Sequence, residues 1–201
     1  MAKLCPITGG YTVYLTCKEC EEKPCKTSTL KNLFIDMDGT IAKFYDDANC
    51  LEKMYEPGFF RNLKKYHETI DALQGLKDIG NLYIISAVHA DIWDQVVSEK
   101  MEWLAEAGLD FPTSQIIFVP FGADKAGTAE LILGRKLSKN DILLDDYNKN
   151  LAEWSERGGE SVKFVNEINN KGKIGPVWKG FKVWHDDAKG TESLLRTLLT
   201  V

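Results

Sequence analysis

At 201 residues, 44% of them hydrophobic and 27% charged, the chain has the means to bury one sizeable core with room for a small appendage. Its net charge of −5 excludes a protein that grips duplex phosphates over a broad surface, though not a local basic pocket for one phosphate. No apolar run approaches the ~20 residues of a membrane span, and no charged-then-apolar leader opens the chain, so a cytoplasmic location with no membrane partner is expected.

Residues 1–28 stand apart. They hold turn residues, a short alternating strand candidate "YTVYL", and Cys5, Cys17, Cys20 and Cys25, while Cys50 lies alone. Clustered thiols in a cytosolic chain favour a metal site over a disulfide scaffold. The spacing of Cys17 and Cys20 is that of a metal knuckle, which Cys5 and Cys25 complete as four thiolates around a structural Zn²⁺. Unrelated reduced thiols are the competing reading.

From residue 32 the pattern becomes short apolar runs alternating with helical stretches. The strand candidates are "NLFID" (32–36), "NLYIIS" (81–86), "QIIFVP" (115–120), "DILLDD" (141–146) and "SVKFVN" (161–166). Between them, "TIDALQGLKDIG" reads as a helix ending at Gly80. "DIWDQVVSEKMEWLAEAG" reads as an amphipathic helix with Ile92, Val96, Met101 and Leu104 on one side. "AGTAELILGRKL" and "NKNLAEWSERGG" are further helices, and the tail adds one strand and a last amphipathic helix. Strands apolar throughout, alternating with helices, predict an α/β protein whose Rossmann-like parallel sheet is covered on both faces. The irregular, aromatic stretch 43–60 reads as a small inserted cap.

Ligands of such a sheet bind at the carboxyl ends of its strands. There the sequence places Asp36 and Asp38, then Ser86, then Lys125, then Asp145 and Asp146. Asp36 can attack phosphorus as a nucleophile. Asp38 can protonate the leaving alkoxide and later deprotonate water. An Mg²⁺ held by Asp36, the Asp38 main-chain carbonyl and the Asp145/Asp146 pair would screen the repulsion between anionic nucleophile and phosphate. Lys125 can fix carboxylate and phosphoryl oxygens, and the Ser86 hydroxyl can bind a non-bridging oxygen.

This order resembles the haloacid dehalogenase superfamily of phosphohydrolases, whose four motifs match "DMDGT" (36–40), Ser86, Lys125 and "DD" (145–146). The resemblance covers roughly residues 32–150, within a domain drawn at 29–201, and implies that fold, an aspartyl-phosphate intermediate, nucleophile Asp36, acid/base Asp38, phosphate ligands Ser86 and Lys125, and a metal ligand at Asp145 or Asp146. The chain is most similar to the 5'(3')-deoxyribonucleotidases, through "DMDGTIAKF", "YEPGFF" (55–60) and "EKMEWL" (99–104). That implies a deoxynucleoside monophosphate substrate, with Phe44 packing on its base. Two departures are a shorter cap and "SA" (86–87) where that group usually has Thr-Ser. Another small phosphate ester, a nucleic-acid end, or a binding module without turnover are the alternatives. Tyr45, Phe59 and Phe60 are read as cap core. His67, His89 and His185 carry no assigned role, although His89 lies close enough to Ser86 to rim the pocket.

Overall fold

The computed structural model describes residues 3–4, 11–12, 30–45, 49–166 and 177–201. Near the N-terminus, β1 (Lys3–Leu4) and β2 (Tyr11–Thr12) pair antiparallel. The four cysteines assigned to zinc lie outside the described residues. Cys50 is inside them and buried.

Six parallel strands form the main sheet: β3 (Asn32–Ile35), β4 (Asn81–Val88), β5 (Ile116–Pro120), β6 (Asp141–Asp145), β7 (Glu160–Val165) and β8 (Phe181–Trp184). Their spatial order is β5-β4-β3-β6-β7-β8. Around them run α1 (Cys50–Lys53), α2 (His67–Gln74), α3 (Trp93–Glu106), α4 (Lys125–Leu133), α5 (Asn148–Glu156) and α6 (Ala188–Thr200). Strand side chains alternate between faces, so each apolar run feeds two cores. Leu33, Ile35, Ile142 and Leu144 pack on one face with Leu73 of α2, Trp103 of α3 and Leu195 of α6. Phe34, Ile85 and Leu143 pack on the other with Ala129 of α4 and Trp154 of α5.

Three expectations shift. α2 ends at Gln74 rather than running to Gly80. There α6 passes so close that a Cβ on Gly75 would lie 2.9 Å from Glu192 Oε1, and Arg196 donates to the Gly75 carbonyl. β4 continues two residues past Ser86 because Ala87 and Val88 find partners in Val119 and Pro120 of β5. The buried stripe of α3 is Val96, Glu99, Lys100, Trp103 and Leu104, not the set built on Ile92 and Met101.

Among the described residues, the chain between β3 and α2 holds α1, turns and the isolated bridges of Ala42 to Asp38 and Lys65. Phe44, Cys50 and Phe60 cluster there with Val88 and Val96. Buried Glu99 fastens this segment to α3 by accepting from the amides of Gly58 (2.6 Å) and Phe60 (3.0 Å). Among the described residues, no helix is long and apolar enough to cross a membrane.

Candidate active site

β3 starts at the middle of the sheet, with β4 and β5 laid to one side and β6, β7 and β8 to the other. Strand order therefore reverses between β3 and β6, and a crevice opens at their carboxyl ends. Asp36 and Asp145 occupy those two ends. The Asp36 amide donates to the Leu144 carbonyl (2.9 Å), carrying the strand pairing one residue beyond β3.

After Asp36 the chain folds tightly over itself: the amides of Thr40, Ile41 and Ala42 all point at the Met37 carbonyl. Gly39 sits at φ 87°, and a Cβ there would lie 2.3 Å from Asp146 Oδ2. The residue after the acid pair is glycine for both reasons, backbone and space. Asn166, at the end of β7, locks this approach by donating to the Gly39 carbonyl and to Asp146 Oδ2, each at 2.7 Å.

One oxygen each of Asp36, Asp145 and Asp146 lie within 4.8 Å of one another, all three residues buried. Lys125, the first residue of α4, donates to Asp36 Oδ1 (2.5 Å) and Asp145 Oδ2 (2.8 Å). Asp124 holds the start of that helix by accepting from the Gly127 amide (2.9 Å). Asp145 also accepts from the Tyr147 amide (2.7 Å) and from Asn150 Nδ2 (2.9 Å), while Thr40 Oγ1 reaches Asp36 Oδ2 at 3.3 Å. Lys163 donates to the Asp146 carbonyl.

Burial pushes the Asp36 carboxyl well above the ordinary carboxylate range; Lys125 opposes this, and Asp145, Asp146 and Asp38 reinforce it. Burial by itself would lower the Lys125 ammonium, but Asp145 and Asp36 outweigh it and hold it above its usual value. Burial lowers Lys163, with Asp146 and Asp145 pulling the other way. Three buried carboxylates against the ammoniums of Lys125 and Lys163 still leave a surplus of negative charge in a site that water screens poorly. An all-oxygen set of hard donors fits Mg²⁺, which takes one or two carboxylates and keeps part of its shell for water or phosphate.

Asp38 stands outside that triad. Its Oδ2 accepts from Lys100 Nζ at 2.5 Å, and the same ammonium donates to Ser86 Oγ (2.8 Å) and the Ala87 carbonyl (2.9 Å). Lys100 is wholly buried, with Nζ 4.9 Å from the Phe60 ring centroid. The structure thus brings Asp36, Asp38, Ser86, Lys125, Asp145 and Asp146 into one crevice. Phe44 stays beside it: 9% exposed, it packs on Tyr45, Phe59 and Phe60.

Lys100, Lys163 and Asn166 escaped the reading of strand ends. The available signal was a charge inside an apolar period: Lys100 in the Val96–Leu104 stripe, Lys163 in a run that is otherwise strand core.

The family model described as "5' nucleotidase, deoxy (Pyrimidine), cytosolic type C protein" matches residues 47–173. A curated 5'(3')-deoxyribonucleotidase from Clostridium acetobutylicum is 32% identical over 123 residues, and the chain spans 59% of that protein's length. Among solved structures, a haloacid dehalogenase-like hydrolase from Xanthomonas campestris superposes with a TM-score of 0.58 at 9% identity, over 85% of this chain and 96% of that one. A D,D-heptose 1,7-bisphosphate phosphatase from B. bronchiseptica, solved with magnesium and phosphate, gives 0.57 at 15% identity, over 83% and 99%. At such identities the likeness is one of fold, and the fold is that of the haloacid dehalogenase superfamily. The family match begins beyond residues 36–40, so the crevice geometry around Asp36 is a separate line of evidence. With more than half of its length matched, the chain belongs to the family of deoxy (pyrimidine) 5'-nucleotidases, cytosolic type C.

Proposed function

We propose that this chain is a Mg²⁺-dependent phosphomonoester hydrolase that releases phosphate from deoxynucleoside 5'- or 3'-monophosphates. The carrying observation is the placement of Asp36 in the β3/β6 crevice, bridged by Lys125 to Asp145 beside Asp146, with Asp38 held separately by Lys100. That is a division of labour between two acids. Asp36 attacks phosphorus through an oxygen aimed by Lys125, forming the Asp36 acyl phosphate as the ester P–O bond breaks. Asp38 gives its proton to the departing alkoxide. It then takes a proton from the water that cleaves the acyl phosphate, restoring both acids. Lys125 and Lys100 supply fixed positive charge to the phosphoryl oxygens, and Ser86 supplies a hydroxyl beside Lys100. Bound at Asp36, Asp145 and Asp146, with the Asp38 carbonyl as a further donor, Mg²⁺ would neutralise charge on carboxylate and phosphate.

The nucleotide assignment rests on the family and on the curated relative. Phe44 keeps the spacing of that family's base-packing aromatic. A screen of deoxynucleoside monophosphates, sugar phosphates and glycerol phosphate, with and without Mg²⁺, tests the reading. Metal-dependent turnover is expected, fastest on the deoxynucleotides. Preference for a sugar phosphate would reduce the assignment to a phosphatase of another ester.

The N-terminal thiols form a separate proposal, supported by spacing alone. Purified protein should carry about one equivalent of zinc, lost when Cys17 and Cys20 become serine, while phosphatase activity persists in part. Elemental analysis finding no transition metal, with the thiols freely reactive, removes the site.

A further inference from the structure

None of the groups given a role in the reaction comes from β7, yet this strand grips Asp146 at two points. Lys163, the register partner of Asp145, donates to the Asp146 carbonyl. Asn166, directly after the strand, gives one bond to Asp146 Oδ2 and one to the Gly39 carbonyl, each 2.7 Å. Asn166 is buried, and the carbonyl before it, on Val165, accepts from the His185 amide beyond β8 (3.2 Å). The chemistry of its partners sets the orientation of its amide. A carbonyl and a carboxylate oxygen both accept, so both bonds come from Nδ2 and use its two hydrogens. An aspartate of the same shape would offer a hydrogen to neither.

Those two bonds join parts of the crevice that arrive by different routes. β7 neighbours β6 and not β3, so the bond to Gly39 spans the end of β6 to the loop after β3. In that loop the Gly39 amide donates to the Ala42 carbonyl (2.8 Å), and in a planar trans peptide this aims the Asp38 carbonyl the opposite way. With the Gly39 carbonyl tied to Asn166, both peptides after Asp38 are fixed. One planar amide thus sets the Asp38 carbonyl, at the end of one strand, against the Asp146 carboxylate, at the end of another.

We propose that Asn166 is a positioning residue that makes the crevice select Mg²⁺ over Ca²⁺, which deepens the Mg²⁺-dependent reading on which it rests. The two ions differ in tolerance. Mg²⁺ demands near-octahedral oxygens at ~2.0–2.1 Å, whereas Ca²⁺ accepts a larger, flexible set at ~2.3–2.6 Å. Donors whose separation is fixed by a bridging amide suit the smaller ion; donors free to spread suit the larger one as well. Gly39 tightens the constraint. A Cβ there would lie 3.2 Å from Asn166 Nδ2, so the loop already sits against the amide that holds it. Lys163 completes the grip by fixing the main chain of Asp146 while Asn166 fixes its carboxylate.

Calorimetric titration of metal-stripped protein with Mg²⁺ alone and with Ca²⁺ alone gives two dissociation constants and their ratio. Asn166→Ala should weaken Mg²⁺ about ten- to a hundredfold, the usual effect of removing the partner of a ligating carboxylate. Ca²⁺ should weaken by less than about threefold, because its shell tolerates the freed donors. Asn166→Ser leaves a smaller void, should shift the ratio the same way, and serves if thermal melting shows the alanine variant unfolded. Raising Mg²⁺ should restore most of the kcat of either variant, a recovery that a collapsed crevice would not show. Equal weakening of both ions would make Asn166 a general scaffold and overturn the selectivity. Unchanged affinities would remove it from the metal site altogether. In both cases the hydrolase reading stands, whereas wild-type protein that binds no Mg²⁺ overturns that reading and this inference together.

Discussion

Asp36→Asn will fold, melt no lower than the parent, and turn over no phosphate ester. The folding half follows from electrostatics: the Asp36 carboxylate is buried near three other acids, and Lys125, with a long bond from the Thr40 hydroxyl, favours its charged form. An amide of the same shape removes that repulsion, and Lys125 keeps its bond to Asp145. The catalytic half follows from nucleophilicity, because an amide oxygen neither attacks phosphorus usefully nor balances a cation. Acid quenching during turnover should leave a phosphoryl adduct on wild-type protein and none on the variant. Steady hydrolysis by Asp36→Asn at the parental rate would sink the covalent mechanism.

The acid at position 36 was legible because an apolar strand run has no reason to end in two carboxylates and a glycine unless something compensates them. Ser86, Lys125, Asp145 and Asp146 were legible in the same way, as polar groups at successive strand ends of an alternating pattern. What periodicity could not give was the partner of each. Lys100 lies 62 residues from Asp38, and nothing local to α3 says that its ammonium reaches β3 and β4. Its neighbour Glu99 was equally hidden, since its partners are main-chain amides of another segment. The end of α2 moved for a related reason: the choice between Gly75 and Gly80 is made by α6, far along the chain. Strand order is likewise non-local, yet the two-sided burial of β3 and β6 follows directly from their unbroken apolar runs.

The Asp38–Lys100 pair should behave as one device. Asp38→Asn is expected to slow turnover by ~10²–10⁴-fold, the usual worth of a positioned acid/base. Lys100→Met, which keeps the aliphatic length in a fully buried slot, should cost ~10²–10³-fold through lost charge at the phosphoryl oxygens and a wandering Asp38. Because one ammonium serves Asp38, Ser86 and the Ala87 carbonyl, the double variant should lose much less than the product of the single losses. Full multiplicativity would mean that Lys100 acts without Asp38. The leaving group separates the two roles. An alkoxide needs a proton as it departs and para-nitrophenolate does not, so Asp38→Asn should hurt nucleotides more than para-nitrophenyl phosphate. Lys100 charge acts on oxygens common to every phosphate ester, so its electrostatic share should weigh on both substrates alike. If Asp38→Asn slows both esters equally, Asp38 is not donating to the leaving group, and its bond to Lys100 serves only to position that lysine.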